Sequence, residues 1–142
     1  MMGVKLMSRI LILASIILLS MLTACQSVKD SDIEFSQAGE ITSNLNKLEK
    51  FIQNVENGNE DKIRIVRKTI EGDPIFDTLD YNGENIKYTY DNSQDKFGGS
   101  DKGETNTTCA DLDSEITEKG IKYSLIDCSS DIGKYFDFEI PE

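Results

Sequence analysis

The stretch of residues 75–90, IFDTLDYNGENIKYTY, decides the fold class of this chain. Apolar and polar side chains alternate on both sides of Asn82-Gly83, and this dipeptide is typical of the two-residue type I′ turn of a β-hairpin. A two-residue turn places three pairs of residues opposite each other: Leu79 and Ile86, Ile75 and Tyr90, and Asp77 and Tyr88. The stretch therefore predicts two antiparallel strands.

The period of two continues through most of the chain after residue 60. Ile63 and Ile65 alternate with basic residues, but Val66 falls on the other parity, so we expect a bulge or a sharper twist near Val66. Further along, a turn at 118–120 is followed by alternating apolar residues, and residues 135–140 alternate in the same way. Together these segments predict about six strands.

One segment before the strands has the period of a helix. Ser43 or Asn44 can cap its start, and Asn57-Gly58 is a typical stop signal. Its apolar residues recur at helical spacing: Leu45, Leu48, Ile52 and Val55. The sequence thus predicts an α+β fold class, with one N-terminal helix packed on a curved antiparallel sheet of about six strands. Residues 43–142 suffice for one such domain.

The first 24 residues have the composition of an export signal. Lys5 and Arg9 precede an apolar run over residues 10–22, which is shorter than the ~20 residues that a membrane-spanning helix needs. Leu22-Thr23-Ala24-Cys25 then resembles the lipobox of bacterial lipoproteins. That resemblance implies that residues 1–24 are a lipoprotein signal peptide and that the Cys25 thiol receives a diacylglycerol, with palmitate among its acyl chains. An uncleaved anchor, or an ordinary signal beside an accidental cysteine, is the alternative.

The lipobox resemblance also implies where the mature protein is located. Two acyl chains suffice for stable anchoring, so we expect a secreted lipoprotein on the outer face of the bacterial cell membrane, attached through the lipid on Cys25. Residues 25–42 are mostly polar and have neither the helical nor the strand period. We expect them to form a flexible tether.

The three cysteines fit this location. With Cys25 assigned to the lipid, Cys109 and Cys128 remain as an even pair in an oxidising compartment, and they are almost equally far from the turn at 118–120. We therefore expect one disulfide, Cys109–Cys128. A reduced pair that binds a metal is the alternative, but two thiolates alone leave a zinc site short of ligands.

The run EGDPIFDTLDYNGENIKYTYDNSQDKFGGSDKG, residues 71–103, carries a second resemblance. Together with the lipobox and the cysteine pair, it resembles a small family of Gram-positive lipoproteins known only as a domain of unknown function. The resemblance covers residues 45–140. It implies a secreted, lipid-anchored α+β domain and transfers no activity to any residue.

Charge and composition exclude several classes of function. The chain has a net charge of −11, so we expect no nucleic-acid partner. The absence of histidine excludes histidine-dependent catalytic triads. A histidine-free hydrolase would have to use a carboxylate pair, Asp113 with Glu115 or Asp137 with Glu139. Such pairs usually form the wet face of a strand, so we expect no enzyme and no cofactor.

Two loops or surfaces remain as candidate binding sites. Asp91, Ser93, Asp95 and Asp101 place oxygen ligands along a loop as a calcium site does, although Lys96 stands where an EF-hand needs glycine. A partner surface could use four other residues: Tyr88, Tyr90, Gly98 and Gly99. The basic cluster Lys62, Arg64, Arg67 and Lys68 either protects an edge strand or binds an anionic ligand.

These observations predict a lipid-anchored extracytoplasmic domain that binds a ligand or contacts another envelope protein. The alternative is an envelope module that binds calcium or a wall polymer. A histidine-free hydrolase is the third hypothesis.

Overall fold

The computed structural model describes residues 26–36 and 41–141. Within these residues the protein is mostly β, with nine strands and one α-helix. In chain order the elements are β1 (Ile33–Phe35), β2 (Ile41–Ser43), α1 (Leu45–Glu56), β3 (Asp61–Lys68), β4 (Pro74–Tyr81), β5 (Ile86–Asp91), β6 (Glu104–Cys109), β7 (Asp111–Ile116), β8 (Gly120–Ile126) and β9 (Asp137–Pro141). The predicted signal peptide and Cys25 lie outside the described residues. No helix among those described has both the length and the apolar character needed to cross a membrane.

The predicted α+β fold class is wrong. The strands form two sheets and not one, with six strands in the order β2-β1-β3-β4-β5-β6 and three in the order β7-β8-β9. The larger sheet is not purely antiparallel, because β1 runs parallel to β3. The chain leaves this sheet at Ala110, whose N–H donates to the carbonyl of Ile126 in β8. The strands that follow therefore pair among themselves.

The central hairpin forms, but its predicted register is wrong by two residues. Leu79 lies opposite Tyr88, and Asp77 lies opposite Tyr90. The turn spans four residues and not two, because the side-chain oxygen of Asn82 accepts hydrogen bonds from the backbone N–H groups of Glu84 and Asn85. This side-chain bonding replaces the type I′ turn that Asn82-Gly83 favours. A shift of two residues leaves each side chain on its predicted face.

Part of the segment predicted as a flexible tether, residues 25–42, is folded. Ile33–Phe35 forms β1, and the side chains of Ile33 and Phe35 are buried. Ile41–Ser43 forms β2 and pairs with β1. The apolar residues of this segment are scattered singly among polar ones and establish no period, and for that reason the sequence did not reveal the two strands. The folded part of the chain therefore begins before residue 43.

The predicted helix is confirmed as α1. Leu48 and Phe51 are fully buried, and Ile52 and Val55 are half-buried against the core. Asn44 precedes the helix, but its side chain donates to the carbonyls of Asp30 and Asp32 and does not cap the helix. The helix covers one face of the six-stranded sheet, which we call the inner face. Core residues on this face include Ile63, Ile65, Leu79, Ile86 and Tyr88.

A charged cluster lies inside this core. The guanidinium of Arg67 donates to both carboxylate oxygens of Asp77, with Nε–Oδ2 and Nη2–Oδ1 distances of 2.8 Å and 3.0 Å. The Tyr88 hydroxyl donates to the same carboxylate, with an Oη–Oδ1 distance of 2.5 Å. Burial raises the pKa of Asp77, and the pairing with Arg67 and Tyr88 opposes that rise. The buried Asp77 carboxylate and Tyr88 hydroxyl are thus satisfied by this cluster, while the Arg67 side chain is half-buried.

The three-stranded sheet is joined to the larger one by the cysteine pair. The Sγ atoms of Cys109, at the end of β6, and Cys128, after β8, lie 2.07 Å apart, at disulfide distance. Gly133 packs directly against Cys128, and a Cβ atom at residue 133 would overlap the Cys128 sulfur. The aromatic rings of Phe136 and Phe138 complete the core between the two sheets, with Phe138 edge-on to Phe35.

Candidate functional site

The best candidate site lies on the face of the six-stranded sheet opposite the helix, which we call the outer face. Side chains alternate along a strand, so Arg64, Thr78 and Thr89 point to this face from three neighbouring strands. An open cavity of about 900 Å³ lies over them. We call this space the outer cavity.

One wall of the outer cavity is the segment of residues 26–31, which is held by Arg64. Arg64 donates to both carboxylate oxygens of Asp32, with Nε–Oδ1 and Nη2–Oδ2 distances of 2.9 Å and 2.6 Å. It also donates to the carbonyl of Ser27 and to the side-chain oxygen of Gln26. Asp32 is only 2% exposed. Arg64 therefore fixes this segment against the sheet, and side-chain bonds from Asn44, Lys47 and Gln94 to backbone carbonyls of the segment add to its hold.

The floor of the cavity is apolar and its walls are polar. Phe76 is buried on the floor, and the guanidinium carbon of Arg64 lies 4.7 Å above its ring centre, a cation–π arrangement. Thr78 and Thr89 are half-buried and supply hydroxyl groups. Charged groups line the remaining wall: Lys29, Lys47, Lys62, Asp91 and Glu104. The site thus offers positively charged donors, negatively charged acceptors and neutral hydroxyl groups.

The basic cluster predicted on β3 does not form one patch. The strand lies between β1 and β4, so it is not an edge strand. Arg67 points into the core, whereas Lys62, Arg64 and Lys68 belong to the outer face. Each of the four cations has an acidic partner within 4 Å: Asp80 for Lys62, Asp32 for Arg64, Asp77 for Arg67 and Glu34 for Lys68. This pairing removes the excess positive charge that would attract an anionic ligand.

The predicted calcium ligands do not converge. Asp91 is buried and accepts a hydrogen bond from the backbone N–H of Ser93, and Asp95 accepts one from the backbone N–H of Phe97. The carboxylate of Asp101 accepts one from the hydroxyl of Ser100. These side chains organise the loop 92–103 itself. Across residues 26–36 and 41–141, no group of three or more cysteine, aspartate or glutamate side chains is placed to hold a metal ion.

The four residues predicted for a partner surface separate into two groups. Tyr88 is fully buried and bonded to Asp77, so a direct contact between Tyr88 and a partner is excluded in this structure. Tyr90 is half-buried, and its ring centre lies 5.0 Å from that of Tyr135. Gly98 and Gly99 lie in the loop 92–103, where Gly99 has a left-handed φ of 69°. Of the four residues, Gly99 is exposed, whereas Tyr90 and Gly98 are half-buried.

The carboxylate pairs proposed for a hydrolase lie on a wet surface. Asp113 and Glu115 on β7 are exposed, and so is Asp137 on β9. Glu139 is half-buried and accepts a hydrogen bond from Thr117. General acid catalysis at neutral pH needs a carboxyl group that a cleft removes from water. These positions do not provide such a cleft.

Sequence reasoning missed the residues that build the outer cavity. Asp32 and Ser27 belonged to the predicted tether, and the two threonines had no recognisable pattern. Their signal lies in the strand register: Arg64 pairs with Thr78, and Thr78 pairs with Thr89, on one face of the sheet. Only the correct pairing of three strands brings these polar residues together.

Comparison with known proteins gives one family match. The profile of a family described as a domain of unknown function (DUF4362) matches residues 27–124. No curated protein and no solved structure matches the chain. The matched range begins within the segment that Arg64 holds, which agrees with a fold that starts before residue 43.

Proposed function

Since the chain belongs to the family described as a domain of unknown function (DUF4362), we propose its role from its own residues. The protein is a lipid-anchored, extracytoplasmic binding domain of a Gram-positive bacterium. It contacts another envelope protein through the outer cavity and carries out no chemistry of its own.

The observation that carries this proposal is the way in which Arg64 binds a peptide segment of the chain itself at the wall of the outer cavity. Arg64 binds the carbonyl of Ser27 as well as the Asp32 carboxylate, so the site recognises both a backbone group and an acidic side chain. Thr78, Thr89 and Glu104 leave further polar groups on the open side. Such a lining suits an extended polar segment of a partner protein, because main-chain hydrogen bonds supply affinity to an extended peptide and the groups that meet its side chains supply specificity.

The anchor rests on the lipobox that ends at Cys25. Two experiments in the protein's own cells test the lipid anchor: incorporation of labelled palmitate and fractionation of the membrane. The Cys25→Ala variant should lose the label and either accumulate as a precursor or appear in the medium. A cleaved Cys25→Ala chain that stays in the membrane fraction would contradict the lipid anchor.

The binding role is tested by filling the outer cavity. Thr89→Arg places a long side chain at the centre of the site, and Thr108→Arg is its matched control. Thr108 lies on β6, is exposed on the same outer face of the sheet as Thr89, and does not line the cavity. A cross-linking pull-down from the membrane should recover the same envelope protein with the wild type and Thr108→Arg, and lose it with Thr89→Arg. Equal recovery in all three samples would exclude the outer cavity as the binding site.

A further inference from the structure

One end of the six-stranded sheet exposes two large apolar side chains. The loops 69–73 and 92–103 connect β3 to β4 and β5 to β6, so both leave the sheet at the same end. Ile70 in the first loop is 90% exposed, and Phe97 in the second is 74% exposed. A single exposed apolar side chain is ordinary, whereas neighbouring exposed apolar side chains with a polar rim mark surfaces that meet a partner or a membrane.

These two loops form one ordered unit. The backbone N–H of Lys96 donates to the carboxylate of Asp73 over 3.0 Å, and the Lys96 ammonium lies 3.0 Å from the other carboxylate oxygen. Both contacts lower the pKa of Asp73, so this carboxylate remains ionised and paired. Within the second loop, Asn92 accepts a hydrogen bond from the backbone N–H of Gly103. Phe97 is therefore held outward by a structured loop.

The described chain starts beside the same unit. The side-chain amide of Gln94 donates to the backbone carbonyl of Gln26, the first residue described. Gln94 lies only three residues before Phe97 in the loop. Gln26 directly follows Cys25 in the sequence, so the described residue next to the proposed lipid site contacts the loop that carries the exposed ring.

We propose that this loop pair rests in the lipid–water interface of the membrane that holds Cys25, with the side chains of Phe97 and Ile70 inserted. This inference rests on the proposed lipid anchor. An aromatic ring next to lysine side chains is favourable at that depth, because the ring and the lysine stems are apolar while the ammonium groups reach water. The loop 92–103 holds two aspartates and two lysines, and the loop 69–73 adds Glu71 and Asp73, so the loop pair carries a net charge of −2 on a chain of net charge −11. Headgroup repulsion is therefore weaker there than on the acidic three-stranded sheet.

The experiment uses the absence of tryptophan from this chain. Phe97→Trp introduces a single reporter at the proposed contact, and Ile116→Trp introduces one at an equally apolar position of β7 that is 81% exposed. Each variant is produced from the full-length sequence and purified after processing. It is then reconstituted into phosphatidylcholine vesicles with and without brominated acyl chains. The acyl modification of Cys25 is verified by mass spectrometry in the same samples.

We expect the emission of the Phe97→Trp protein to shift to shorter wavelength and to be quenched by the brominated lipid. Ile116→Trp should show neither effect. If Cys25 is acylated but Phe97→Trp is not quenched, the anchor stands and the interface contact is wrong. A shift without quenching would mean that protein covers residue 97, which also overturns the contact. A chain without acylation at Cys25 would overturn the anchor and, with it, this inference.

Discussion

Arg64 and Asp32 form a two-point ion pair across 32 residues of sequence, with 2.9 Å and 2.6 Å between the bonded atoms. This pair fixes the segment that lies between the predicted lipid site and the first strand. The folded domain therefore continues almost to its proposed point of attachment, so we expect the domain to sit close to the membrane surface.

The first prediction concerns this pair. Arg64→Gln removes the side-chain bonds to Gln26, Ser27 and Asp32 and should accelerate amide hydrogen exchange in residues 26–29 by roughly tenfold or more. The bonds of Asn44 to Asp30 and of Lys47 to Ser31 remain, so the acceleration should be smaller at residues 30 and 31. Hydrogen bonds to charged groups contribute about 1.5–3 kcal/mol, and about 1.4 kcal/mol corresponds to a tenfold change. The measurement is exchange mass spectrometry on peptides that cover residues 26–35. Lys62→Gln removes the neighbouring exposed pair with Asp80 and should leave exchange in these peptides unchanged.

The second prediction concerns the buried carboxylate of Asp77. Asp77→Asn removes the charge that Arg67 and Tyr88 bind in the core, and breaking a buried ion pair from one side costs about 3–5 kcal/mol. Asp80→Asn, in the exposed pair with Lys62, should cost about 0–1 kcal/mol. Urea unfolding measures both. Equal free energies of unfolding for the two variants would show that the buried cluster stabilises the fold no more than the exposed Lys62–Asp80 pair does.

The third prediction is a dependence of stability on alkaline pH. Burial raises the pKa of Tyr88 above its ordinary value of 10.0, and the negative charge of Asp77 raises it further. Above pH 10 the unfolded chain loses this proton and the folded chain keeps it, so stability falls as the pH rises. Tyr88→Phe should make this fall shallower by about 1.4 kcal/mol per pH unit. Urea titrations above and below pH 10 test it, and an unchanged slope would contradict the assignment.

The fourth prediction concerns the cysteine pair. A bond between Cys109 and Cys128 closes a loop over a sequence separation of 19 residues, for which the chain-entropy relation gives about 3 kcal/mol. Cys128→Ser should therefore lower the melting temperature by roughly 5–15 °C in a domain of this size. Calorimetry of both proteins without reductant measures the difference. An unchanged melting temperature would mean that the two thiols are unpaired in solution.

The sequence predicted the local elements better than their assembly. The period of the apolar residues was sufficient for α1 and for most strands, because one face of each element is buried. It could not show which strands share a sheet, since alternation alone carries no information on partners. Val66 illustrates the limit: its off-parity position suggested a bulge, yet β3 is regular and Val66 packs opposite Phe76 on the outer face. Val66 and Phe76 are buried on the outer face of the sheet, and this second buried position is the reason for the irregular pattern.

The candidate site was less accessible to sequence reasoning than the fold. Cys109 and Cys128 flank the β7–β8 hairpin, so the closeness of the two cysteines could be inferred from their spacing. The outer cavity instead depends on Arg64 meeting residues 26–32 and on Thr78 and Thr89 lying side by side. Both contacts follow from tertiary structure. The tyrosines failed as predictors of a partner surface because Tyr88 is needed in the core by Asp77.

The most direct test of the binding role places a photo-cross-linking amino acid at residue 89 of the full-length protein, in its own cells, and at residue 108 as the control. We expect illumination to join residue 89 to one defined envelope protein, and we expect no such product from residue 108. If residue 89 gives no product, or if both positions give the same products, the outer cavity is not a binding site and the proposed function is wrong.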